Sequence, residues 1–154
     1  MLTKNYCKIS FGIFFILISF FCSTAIAEFV SVKAKKATLF EGPSNITKRL
    51  FIVTEGYPLK IIVSLKDWKK VKDHKGKISW IEVGQIDQAR TIMTIKENVN
   101  LYHKASFNSP KLGEISKFVI LDLNSSLIMD GWAKVQSQLE GVVGYLRVDE
   151  VWGL

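Results

Sequence analysis

Beyond residue 28 the chain alternates short apolar runs, rich in Val, Ile, Leu and aromatics, with clusters of turn-forming residues. Runs of this kind, broken about every eight to twelve positions, mark a small β-sandwich or barrel. The pattern predicts strands over Thr38–Phe40, Leu50–Thr54, Leu59–Leu65, Trp68–Lys72 and Ile78–Val83. Between them stand Glu41-Gly42-Pro43-Ser44-Asn45, Glu55-Gly56-Tyr57-Pro58, Lys66-Asp67 and Asp73-His74-Lys75-Gly76, each with a Gly, Pro or Asp where a reversal needs it. Further strands are expected over Val99–Leu101, Leu112–Ile115, Val119–Leu123, Trp132–Val135 and Val142–Val148, and nowhere does a helical period persist.

The second set of strands repeats the first. Leu39-Phe40 matches Leu101-Tyr102, Leu50 matches Leu112 and Val53 matches Ile115 at an offset of 62. Trp68 and Val71 match Trp132 and Val135 at 64, and Gly76, Trp80 and Ile81 match Gly141, Tyr145 and Leu146 at 65. Because the offset grows only where loops absorb it, the chain divides into two modules, residues 28–87 and 91–154, joined through Asp87-Gln88-Ala89-Arg90. Modules of about 60 residues lie near the lower limit for a self-supporting core, so packing the two together would help. Strand alternation assigns Leu39, Ile52, Ile61, Val63, Val71, Ile81 and Val83 to one core, and Leu101, Leu112, Leu121, Val135, Leu146 and Val148 to the other. Trp152 reads as a plug closing the second module.

Residues 1–27 are of another kind. Lys4 and Lys8 give a positive start, Ile9 to Ala27 carries no charge, and Ala25-Ile26-Ala27 places small residues where a signal peptidase reads them. The expectation is a signal peptide cut between Ala27 and Glu28. An uncleaved anchor is the alternative, since the uncharged stretch approaches the roughly 20 residues of a spanning helix; Gly12, Ser19, Ser23 and Thr24 dilute it. Cys22 is a poor lipid acceptor because Phe20-Phe21 precede it where small residues are wanted. Removing 27 of the 154 residues leaves 127 and takes away both cysteines, Cys7 and Cys22. That excludes a disulfide framework, a thiolate metal site and a cysteine nucleophile. Losing Lys4 and Lys8 lowers the net charge from +7 to +5, a basic surface that favours polyanions without choosing among them. The protein is expected in the periplasm or cell envelope, touching membrane only if the first segment is kept.

Strand parity also singles out aromatics. With Val71, Val135, Ile81 and Leu146 inward, Trp68, Trp132, Trp80 and Tyr145 point outward at matching places, a platform for sugar rings or an extended peptide unless loops or the other module cover it. Lys69 and Lys70 belong to a hairpin, Lys66 to Lys77, with six lysines around Trp68 and Val71. Such a stretch steers anions, or simply shields an edge strand from pairing; export makes nucleic acid an unlikely partner. His74 and His103 sit in predicted loops without a second ligand at metal spacing, so they read as surface residues, and no metal or cofactor is expected. No nucleophile elbow or phosphate-cradling glycine loop is present. Asp67, Asp73, Glu82, Asp130 and Asp149 are the acids that could meet in space, though no spacing brings them together.

The ordered elements resemble the bacterial SH3 family, in tandem. The residues that carry the likeness are Ala37-Thr38-Leu39-Phe40-Glu41-Gly42-Pro43-Ser44, Glu55-Gly56-Tyr57-Pro58-Leu59, Asp67-Trp68-Lys69-Lys70-Val71, Gly76 and Trp80-Ile81. In the second module they are Val99-Asn100-Leu101-Tyr102, Asp130-Gly131-Trp132-Ala133-Lys134-Val135, Gly144-Tyr145-Leu146 and Glu150-Val151-Trp152-Gly153. Departures are Phe40 in place of a usual Arg, Ser79 in place of a Gly before Trp80, and Lys104-Ala105-Ser106 where the second module lacks Gly-Pro. The resemblance implies an all-β protein of two tandem SH3-like barrels, five strands each, after the signal segment. It also implies a non-catalytic binding role in the envelope, towards peptidoglycan, another wall polymer or an extended peptide. A second reading is an interaction subunit that docks an envelope protein by strand addition or in the inter-module cleft.

Overall fold

The computed structural model of the protein describes residues 28–124 and 128–154. The signal segment expected at 1–27 lies outside them. The first module forms β1 (Phe29–Val32), β2 (Lys36–Phe40), β3 (Arg49–Thr54), β4 (Pro58–Ser64), β5 (Trp68–Lys72), β6 (Ile78–Glu82) and β7 (Ile86–Asp87). The second forms β8 (Thr91–Thr94), β9 (Val99–Tyr102), β10 (Lys111–Ile115), β11 (Ile120–Leu123), β12 (Trp132–Ser137), β13 (Val143–Arg147) and β14 (Val151–Trp152). The antiparallel sheets run β3-β2-β6-β5-β4-β1-β7 and β10-β9-β13-β12-β11-β8-β14, so the second copies the first strand for strand. A single 3-10 turn, Val83–Gln85 or Val148–Glu150, precedes the last strand of each. No helix among the described residues is long and apolar enough to cross a membrane.

Each module thus has seven strands, not five. The strands the pattern missed are β1, β7, β8 and β14. All four residues of β1 and all four of β8 are buried, so neither shows alternation, and β7 and β14 have two residues each, too few to show a period.

Val30, Val32, Ala37, Leu39, Val53, Leu59, Val71, Ile81 and Ile86 fill the first core. Ile92, Val99, Leu101, Leu121, Ala133, Val135, Leu146 and Val151 fill the second. Four expected core residues depart from this. Ile52 is 64 % exposed because β3 pairs Val53 with Ala37 and Phe51 with Leu39, which turns Ile52 outward. Val63 and Leu112, 41 % and 43 % exposed, follow or form β-bulges: the register slips between Ile61 and Val63, and between Lys111 and Gly113. An extra residue in a strand reverses the parity beyond it. Val83 sits in a 3-10 turn, half-buried.

The two modules are tied by polar and aromatic contacts. The Thr91 amide donates to Ser31 Oγ (3.2 Å), that hydroxyl meets Thr91 Oγ1 (2.6 Å), and Thr91 Oγ1 donates to the Gly56 carbonyl (2.5 Å), all buried. Gly56 has φ +77°, and a Cβ on it would stand 2.9 Å from Ile120, so the turn fits the second module only as glycine. Trp152 does not plug its own module. Its indole donates to the Pro58 carbonyl (3.1 Å) and its ring meets Phe29 edge-on at 5.2 Å, both across the junction. Arg90 lies over Phe29 and donates to the Gly153 carbonyl (2.9 Å).

Candidate functional site

The register of β5 against β6 sets the outer face of the first barrel. Trp68 is opposite Glu82 and Lys70 opposite Trp80, while Lys69 is opposite Ile81 and Val71 opposite Ser79. Val71, Ser79 and Ile81 are buried, so Trp68, Lys70, Trp80 and Glu82 share the other face. Lys69, opposite Ile81, has the inward parity and lies off the aromatic face. Phe40 of β2 pairs with Trp80 and meets Trp68 edge-on at 5.5 Å, and Lys70 Nζ lies 5.8 Å from the Trp80 ring.

The second barrel repeats this face. Trp132 is opposite Arg147 and Lys134 opposite Tyr145, with Tyr102 paired to Tyr145. Here the tryptophan of the expected platform is covered, Trp132 being only 5 % exposed, while Tyr145 is half-buried. Tyr102 meets it edge-on at 5.3 Å, Phe107 at 4.9 Å, and the Arg147 guanidinium lies 5.3 Å above its ring. Phe107 itself is 67 % exposed, spent as a cover over the tryptophan. At the offset of 62 its counterpart is Asn45, and at 65 the counterpart of Arg147 is Glu82. Trp68 therefore remains half-buried, and a cleft of about 350 Å³ opens beside it, lined by Lys66, Asp67, Glu82, Val83 and Gly84; Trp80 is half-buried, as is its counterpart Tyr145.

The loops flanking the two faces, 41–48 and 103–110, fold alike despite their different sequences. Glu41 N–H donates to Lys48 O and His103 N–H to Pro110 O; Ser44 N–H donates to Gly42 O and Ser106 N–H to Lys104 O. Side chains complete the turns in the same way: the Gly42 amide donates to Thr47 Oγ1 (3.3 Å), the Lys104 amide to Ser109 Oγ (2.9 Å). The missing Gly-Pro in the second module therefore leaves the turn intact.

The lysine hairpin is not an edge. β5 lies between β6 and β4, and the free edges are β3 and β7 in one sheet and β10 and β14 in the other. Asp73 stabilises the hairpin turn by accepting from the amides of Lys75 (2.9 Å) and Lys77 (2.8 Å). His74 is more than a surface residue: its Nδ1 meets the Tyr57 hydroxyl at 2.7 Å and its ring packs on Phe118 of the second module at 5.3 Å. Burial raises the Tyr57 pKa to about 12, with the Asp73 charge adding to it. Burial also holds His74 below the usual histidine range, against the opposing pull of Asp73 and with Lys75 and Lys117 reinforcing it. His103 is exposed. Of the five acids, Asp67 and Glu82 share the cleft beside Trp68, whereas Asp149 pairs with Lys96 at 2.8 Å. Among the described residues no three His, Cys, Asp or Glu side chains group as a metal site.

Phe40, Phe107 and Arg147 were not among the expected site residues. The repeat offset points to Phe107 and Arg147 by showing what Trp132 has gained over Trp68, whereas Phe40 and its counterpart Tyr102 meet the two rings alike.

Residues 33–88 match the bacterial SH3 domain family. No curated protein matches the chain. Among solved structures it is similar to NlpC2 from Trichomonas vaginalis, with a TM-score of 0.38 and 10 % identity over 82 % of this chain and 48 % of that one. It is also similar to an NlpC/P60 family protein from Bacillus cereus ATCC 10987, with a TM-score of 0.37 and 16 % identity over 80 % and 55 %. The chain spans about half the length of these proteins. The first barrel, carrying Trp68 and Trp80 on its outer face, is a bacterial SH3 domain.

Proposed function

We propose that this protein is a non-catalytic binding module of the bacterial cell envelope, holding peptidoglycan or another extended wall polymer against the outer face of its first barrel. The observation that carries the reading is the difference between two equivalent faces: Phe107 and Arg147 seal Trp132, while Asn45 and Glu82 leave Trp68 beside an open cleft. Half-exposed aromatic rings next to ammonium groups such as Lys70 give contact area at low entropic cost. Co-sedimentation with purified peptidoglycan over a salt series is the test. The wild-type protein is expected to pellet with the wall, and Trp68→Ala with Trp80→Ala is expected to weaken this about tenfold, a typical loss for aromatic anchors. Failure of the wild-type protein to pellet even at low salt would rule the wall reading out. Wall fragments are expected to emerge from the same incubation uncut.

A second reading has its own support. β3 and β10 end their sheets with one side unpaired, and Ile52 and Leu112 stand exposed on them. Free edges accept a partner's strand. An envelope protein captured in stoichiometric amount, and retained after wall digestion, would favour that reading over the first.

A further inference from the structure

From the comparison of the two barrels we infer that the cleft beside Trp68 is a receptor for a ligand's cationic group, an ammonium or guanidinium on an extended peptide, and that the second barrel's equivalent place is taken by its own Arg147. The inference rests on the first barrel's outer face being the ligand site proposed above.

Arg147 shows what the place accepts. Its guanidinium lies 5.3 Å over Trp132 and 5.7 Å from Phe107. Nη1 donates to the Asp130 carbonyl (3.0 Å), and Nε stands 3.5 Å from Asp149. A cation over an indole, with a carbonyl and a carboxylate beside it, is a binding arrangement supplied from within the chain. It fits only because Gly131 has no side chain, since a Cβ there would stand 2.7 Å from Nη2.

The first barrel keeps the indole and the backbone tie of this arrangement, while the cation, its Asp149 partner and the Phe107 cover give way to Glu82, Gly84 and Asn45. Trp68 replaces Trp132 at the offset of 64, and the backbone tie is kept, with Val83 N–H donating to Asp67 O where Val148 N–H donates to Gly131 O. Glu82 replaces Arg147, and Asp67 stands where Gly131 made room. Among the described residues no cation lies over Trp68, although the second barrel and even Trp80 have one. The lining carries two carboxylates against the one ammonium of Lys66. Replacement of the resident cation by an acid, beside an aromatic ring in an open cleft, reverses the charge the place prefers to receive and leaves it to be filled from solution.

Indole N–H signals in amide-correlated NMR spectra report on the four tryptophans separately. Protein expressed from the full sequence, and purified as the cell processes it, is titrated with N-acetyl-lysinamide and N-acetyl-argininamide, with N-acetyl-norleucinamide as the neutral control. The Trp68 signal is expected to move with the two cations and not with norleucinamide, while Trp132 stays still. Glu82→Gln is expected to weaken the response about three- to tenfold, and Glu82→Arg to abolish it. Arg147→Ala is expected to make Trp132 responsive. Equal shifts with norleucinamide, or a Trp68 response unchanged in Glu82→Arg, would overturn the inference, and retained dispersion of the other signals shows that each variant is folded. Acetylating the amines of purified peptidoglycan identifies the source: loss of co-sedimentation places the cation on the wall peptide. A positive titration with no wall binding by the wild-type protein would remove the wall and leave the cation site standing on a protein segment.

Discussion

Ser79 and Gly144 hold the same place in the two barrels, just before Trp80 and Tyr145, and their substitution has opposite consequences. A Cβ on Gly144 would stand 2.6 Å from Leu101 Cγ and 2.9 Å from the Tyr102 carbonyl oxygen, and a backbone oxygen cannot step aside. Gly144→Ala is expected to cost about 2 kcal/mol or more. In the first barrel the site tolerates a side chain, but among the described residues the buried Ser79 hydroxyl has no hydrogen-bond partner. Ser79→Ala removes an unmet polar group and is expected to stabilise by about 1 kcal/mol. Urea midpoints at unchanged slope would check both. His74 supplies a pH dependence. Its folded pKa is lowered, so the unfolded chain, at about 6.5, takes up the proton first. The stability tied to neutral His74 is complete above about pH 6.5 and is lost as the pH falls towards the lowered value. Urea midpoints measured downward from neutral pH should fall in the wild-type protein, and His74→Gln should lack that part of the slope.

Among the elements, the paired loops and the bulges divide what was legible from what was not. All ten strands expected from apolar runs are present with ends within about two residues, and most of their turns carry Gly, Pro or Asp in plain view; Ser116-Lys117-Phe118 between β10 and β11 carries none. The inward residues were harder. Leu39, Val71, Ile81, Val135 and Leu146 follow simple alternation and are buried, whereas Val63 and Leu112 fail at bulges, of which only the second is marked in the sequence, by Gly113 inside the strand. The loops make a similar point: Gly42-Pro43 is conspicuous, yet the shared geometry depends on Thr47 and Ser109 bonding the amide five residues back. Thr47→Ala and Ser109→Ala should each cost about 1 kcal/mol. Pro43→Ala should cost less, since it chiefly frees the unfolded chain. Thermal unfolding of the three variants would distinguish the two accounts.

For the molecule as a whole, the junction decides whether the barrels act as one. Thr91 reaches Ser31 and Gly56, and Trp152 reaches Phe29 and Pro58, so β1, β4, β8 and β14 are joined by contacts that neither barrel makes alone. These pairs follow no repeat offset, Trp152 and Pro58 for instance standing 94 residues apart, which is why Trp152 reads from sequence as a plug. Trp152→Ala removes an indole and an inter-barrel hydrogen bond, and is expected to cost about 3 kcal/mol. If the junction couples the barrels, the wild-type protein unfolds in one transition, and Trp152→Ala or Thr91→Val separates it into two. Coincidence, or its loss, between tryptophan fluorescence and circular dichroism would show which occurs.

The place of β1 bears on timing. It begins one residue past the expected cleavage bond, it lies inside its sheet between β4 and β7, and the Glu28 carbonyl already accepts the Ile61 amide at 2.8 Å. A peptidase must draw residues from both sides of its target into an extended groove, and here those on one side are stitched into the barrel. If residues 1–27 are the signal segment their pattern predicts, trimming after Ala27 would have to precede closure of the barrel. Were that segment present, a copy that closed first would keep it.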